Sequence, residues 1–89
     1  MIKLVHAKGV GDSKLSLAFL DSSQGVYNFD VLLAKNTALT LPLKDAAAFQ
    51  RFFLELGALC WPNGLEFSAS KLHSELAAAG ALLNAGHAA

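Results

Sequence analysis

Charge is what this chain has least of. Seven basic and seven acidic residues cancel, and together they make up only 16% of its 89 residues. A typical soluble domain carries about 25%. The basic residues Lys3, Lys8, Lys14, Lys35, Lys44, Arg51 and Lys71 are also scattered rather than clustered. A sparse, balanced charge set of this kind weighs against nucleic acid or an anionic membrane surface as partner.

Cysteine is nearly absent. A single residue, Cys60, rules out a disulfide within the chain and fits a reducing cytoplasm. No apolar run approaches the ~18 residues of a membrane span. The segment Met1–His6 also lacks the apolar centre of a secretion signal. A soluble, cytoplasmic protein is expected. His6, His73 and His87 form no His-x-x-x-His pair, and Cys60 belongs to no Cys-x-x-Cys, so no metal or cofactor is expected. There is no Gly-x-Ser-x-Gly elbow, and Gly9-Val10-Gly11-Asp12 lacks the third glycine and the lysine of a phosphate cradle.

Apolar residues are plentiful, at 54% against about 45–50% in an average domain. A single small domain, residues 1–89, cannot bury all of them, so some apolar surface is expected to meet a partner. Alternation sets out the first half. Ile2–Ala7 reads as a strand and Gly9–Asp12 as a turn. Lys14–Phe19 places Leu15, Leu17 and Phe19 on one face. The Asp21–Gly25 loop reverses the chain into Val26–Val31, where Tyr27 and Phe29 share a face.

Asp30 stands at the strand end, where it is expected to cap a helical turn over Val31–Lys35. Asp45 caps a short helix expected to carry Phe49, Phe52 and Phe53 on one side. Phe53–Leu56 and Ala58–Trp61 flank Gly57 as a second hairpin or one bent strand. Ser68 caps a C-terminal helix in which Leu72, Leu76, Ala79 and Leu83 form a stripe closed by Asn84 and Gly86.

The densest signal is Trp61-Pro62-Asn63-Gly64. Pro62 presets φ at the second position of a turn, Asn63 tolerates the third and Gly64 the fourth. This turn follows Phe19-Leu20-Asp21-Ser22-Ser23-Gln24-Gly25 and Pro42-Leu43-Lys44-Asp45 with Phe49. It precedes Ser68-Ala69 and Leu72-His73. In that order, over residues 2–76, the motifs resemble the bacterial family known as domain of unknown function 2442. Ser22 stands where the family pattern has glycine, Ser68-Ala69 where it has Asp-Pro, and His73 where it has an aromatic. The resemblance implies a small α+β fold, no settled activity and, through neighbouring partner proteins, an accessory or toxin–antitoxin-like pairing. Residues 77–89 form an alanine-rich extension outside it.

The expected fold is α+β: two hairpins in one mostly antiparallel sheet, with a short helix and a C-terminal helix on one face. The expected function is a non-enzymatic protein-interaction module. Trp61, Pro62, Asn63, Gly64 and Asp30 are its candidate interaction or structural motif. Self-association as a two-fold dimer would use the C-terminal helix. The other reading is a small enzyme or ligand-binding protein with a pocket near Trp61, Cys60 and His73. Its weakness is that Cys60 lies in an apolar strand without a base beside it in sequence.

Overall fold

A computed structural model describes residues 2–84. The chain is α+β. Strands β1 (Leu4–Gly9), β2 (Lys14–Phe19) and β3 (Ser23–Asn28) form an antiparallel meander, joined at the far side of β3 by β7 (Leu83–Asn84). Strands β4 (Phe53–Glu55), β5 (Ala58–Cys60) and β6 (Glu66–Phe67) make a separate three-stranded sheet. Two one-turn helices, α1 (Asp30–Leu33) and α2 (Ala46–Phe49), a 3-10 turn over Leu41–Lys44 and the longer α3 (Ala69–Ala78) complete the described elements.

The expected single sheet is therefore two. Leu4 N–H donates to the Gly57 carbonyl at 2.9 Å, so the tip of the second hairpin meets the first sheet by one hydrogen bond rather than by a ladder. Burial in the meander follows the alternation: Leu15, Leu17 and Phe19 are buried on β2, and Ser23, Gly25 and Tyr27 on β3. The second set settles which face of β3 points inward. The reversal itself is tighter than expected, because β3 begins at Ser23 and Gly25 lies inside the strand.

The helices are shorter than their sequence patterns suggest. Asp45 accepts from Ala48 N–H at 3.1 Å as expected, but α2 ends at Phe49. Phe49 is buried, Phe52 half-buried, and Phe53 has already passed into β4, where it is exposed. Three phenylalanines at helical spacing thus divide between a helix and a strand. Ser68 accepts from Lys71 N–H at 3.1 Å and opens α3 as expected. Leu72 and Leu76 bury their side chains, while Ala79 is exposed. Gly80, at φ 69°, ends the helix six residues before Gly86. Leu83 therefore belongs to β7 and pairs with Gln24 instead of extending the helical stripe. Gly86 and the end of the 77–89 extension lie outside the described residues.

One core joins both sheets. Leu15, Leu17, Phe29, Phe49, Leu59, Trp61 and Leu72 are its nearly or fully buried centre. Trp61, a candidate interaction residue by its place on a turn, is instead only 2% exposed. Its ring lies 5.7 Å from those of Phe29 and Phe49 and 6.0 Å from that of Phe67. Its indole N–H donates to the Phe49 carbonyl at 2.8 Å, so the indole's polar atom is satisfied inside the core.

Two substitutions test this centre. Trp61→Phe keeps the aromatic packing but leaves the Phe49 carbonyl without its donor, and should lower stability by about 1–3 kcal/mol. Gly64 has φ 98° and no atom within 4 Å of where a Cβ would sit, so the cost of Gly64→Val is backbone strain rather than a clash. A loss of about 1–2 kcal/mol is expected. Thermal or denaturant unfolding of both variants measures this, and two unchanged curves would refute it.

Candidate functional site

The Trp61–Gly64 turn closes as its sequence suggests: Gly64 N–H donates to the Trp61 carbonyl at 3.0 Å. Asn63 does more than tolerate its position. Its side-chain amide donates to the Leu39 carbonyl at 2.8 Å, and its Oδ1 accepts from Leu65 N–H at 3.1 Å. The turn thereby clips the Asn36–Leu43 connection to the second sheet. A shallow cleft of about 160 Å³ lies beside it, lined in part by Pro42, Leu43, Arg51 and Pro62. Neither Cys60 nor His73 lines this cleft.

The three residues of the enzyme reading have separate surroundings. Cys60 is buried, with its Sγ 3.7 Å from a Glu66 oxygen, and burial followed by the Glu66 charge pushes the thiol pKa up. A raised pKa disfavours the thiolate and hence nucleophilic attack. His73 faces Asp21, with Nε2 3.0 Å from Oδ2, and stacks edge-on against Phe19 at 5.0 Å. Trp61 spends its N–H on Phe49.

Asp30 is not the cap of α1. It is the first residue of the helix, Phe29 holds the cap position without a side-chain cap bond, and Asn28 Oδ1 accepts the Asp30 N–H at 2.9 Å in an Asx-turn. The Asp30 carboxylate instead accepts from the Ser13 hydroxyl and ties the β1–β2 loop to the start of α1. Among the described residues no group of three or more His, Cys, Asp or Glu side chains is arranged to hold a metal ion.

A larger concavity lies where β3, α1 and α3 meet. It is an open groove of about 520 Å³, within the range of ligand pockets. Val26, Val31, Leu76 and Ala79 line its apolar part, and Lys35, Lys71, Glu75 and Tyr27 its polar part. Tyr27 donates its hydroxyl to Glu75, which also pairs with Lys71 at 2.8 Å, one helical turn away. Lys71, then Tyr27, holds the Glu75 carboxyl below its ordinary range. Burial, then Glu75, pushes the Tyr27 hydroxyl pKa up.

Sequence reasoning missed this groove. Lys71 and Glu75 are four apart and visibly paired on a helix. Nothing local announces that Tyr27 and Val31, from two other elements, face them.

The shifts have a sign in stability. The Asp21 carboxyl is held below its ordinary 3.8, chiefly by hydrogen bonds from Ser23, and Glu75 is held below its ordinary 4.5. Their contributions are present above those values and are lost as pH falls through the lower folded ones, so the melting temperature should drop below about pH 4. Asp21→Asn should flatten part of that drop. Tyr27 behaves oppositely, its contribution being present below 10.0 and lost as pH rises through its higher folded value. It is the only tyrosine, so an absorbance titration isolates it. The folded chain should give no tyrosinate step near pH 10. An ordinary step there would mean the Tyr27–Glu75 contact is not made.

Val31 is 75% and Leu56 is 95% exposed, and Val5, Leu20, Val26 and Leu83 are exposed as well. Leu56 adds a backbone cost, because it sits at φ 52° beside Gly57 in the β4–β5 reversal, a conformation L-residues with branched side chains disfavour. Among the described residues no helix is long and apolar enough to cross a membrane. In comparisons with known proteins, no family model, curated protein or solved structure matches this chain.

Proposed function

We propose that the chain is a non-enzymatic interaction module of a reducing cytoplasm, whose exposed apolar side chains are covered by another protein or by a second copy of itself. The observation that carries this reading is Leu56. This leucine is 95% exposed, so its side chain adds nothing to the core. The two-residue reversal needs positive φ there and at Gly57, which asparagine or glycine meets at lower cost than leucine, so burial against a partner is what accounts for a leucine at this position. Val31 and Leu83, also exposed, extend the apolar surface elsewhere on the molecule. Several of the scarce charges are engaged in contacts that shape the fold, such as Asp21 with His73 and Lys71 with Glu75.

The test separates folding from association. Leu56→Asn places a residue that tolerates positive φ at the tip, and should leave the melting temperature unchanged or raise it by a few degrees. The same change should weaken association, read by light scattering of the isolated chain across concentrations and by affinity capture from native lysate. A chain that stays monomeric and retains no stoichiometric protein, or one whose association ignores both Leu56→Asn and Val31→Ser, overturns the reading.

A further inference from the structure

The ladder of β3 is incomplete on the side away from β2. Phe29 N–H donates to the Ser13 carbonyl at 2.8 Å, and Tyr27 opposes Leu15 in the same register. In an antiparallel ladder bonded pairs alternate with unbonded ones. The main-chain N–H and C=O groups of Val26 and Asn28 therefore point away from β2. On that side β7 pairs with Ser23 and Gln24 only, so among the described residues no strand lies beside Val26–Asn28. The groove between α1 and α3 opens along this same stretch of β3.

We propose that the groove is a strand-addition site for an extended segment of a protein partner, one that carries an apolar side chain followed closely by a carboxylate. Three features define that occupant. The outward main-chain groups of Val26 and Asn28 select an extended backbone, because only a strand presents donors and acceptors at the matching spacing. Val31, which is exposed, forms with Leu76 and Ala79 an apolar trough for one side chain of that strand.

The charge is asymmetric. Glu75 pairs with Lys71 and also feels the charge of Lys35, so two cations face one carboxylate in the groove. The groove thus carries one cation in excess at its rim, complementary to an acidic side chain. The segment would run in line with β7 and extend the sheet beyond Leu83, where that strand begins.

This inference rests on the interaction-module reading, and its test is distinguishable from that one. Random short peptides displayed on phage are selected against the intact chain, and enriched sequences are synthesised. Expected are peptides that combine β-branched or aromatic residues with Asp or Glu and protect the Val26 and Asn28 amides from hydrogen exchange. Lys35→Glu, a surface change checked for folding by circular dichroism, should weaken them about fivefold or more. N-methylation of the peptide amides that face β3 should weaken them about tenfold.

Failure to enrich any peptide, or peptides that bind as helices, overturns the proposal. So do peptides indifferent to Lys35→Glu and to N-methylation. If the protein still associates through Leu56 in that case, the module reading stands and only this groove is lost.

Discussion

The indole N–H of Trp61, donated to the Phe49 carbonyl, holds together parts of the chain that local structure alone leaves apart. Trp61 follows β5 directly and Phe49 ends α2, so this bond joins the second sheet to the helix. Phe29 lies against both rings and belongs to the junction of β3 with α1, so the same cluster reaches the first sheet. A buried N–H without an acceptor costs about 1–3 kcal/mol, which makes the position of α2 part of burying the tryptophan at all. Asn63 then bonds the Leu39 carbonyl and fixes the loop that leads into α2. The resulting frame is two small sheets around one aromatic centre.

With so few charges, the molecule uses them locally. Asp21 accepts from Ser23 within its own turn and faces His73 on α3, which pins the β2–β3 reversal to the helix. Glu75 receives Tyr27 and Lys71 and does the same further along. The Glu75 contacts border the groove, where Lys35 and Lys71 face this one carboxylate. A surface poor in charge and rich in exposed valine and leucine matches recognition by contact and by main-chain pairing better than long-range steering.

The caps, turns and strand faces were legible in the sequence because each rests on near neighbours. Asp45 and Ser68 bond N–H groups three residues on, and Pro62, Asn63 and Gly64 occupy consecutive turn positions. Leu15, Leu17 and Phe19 share a face by the pleat alone. Ser22, which stands where the resembled family pattern has glycine, has φ 74°, a conformation glycine adopts at lower cost. Errors arose where one pattern served two elements. Phe49, Phe52 and Phe53 fit a helix by spacing, yet the chain leaves the helix at Phe49. Leu83 fits the α3 stripe, yet Gly80 turns the chain back along β3.

By itself, then, the sequence determined the α+β character, the first hairpin, the turn at Trp61 and the excess of apolar surface. Composition and contacts within a few residues decide those. Only the tertiary structure decided that there are two sheets, that Trp61 is buried, that Cys60 faces Glu66 while His73 faces Asp21, and that among the described residues β3 is left open beside Lys35. Most of these depend on pairing between residues far apart in the chain. A one-residue change in where a helix stops redirects such pairing without altering any local pattern.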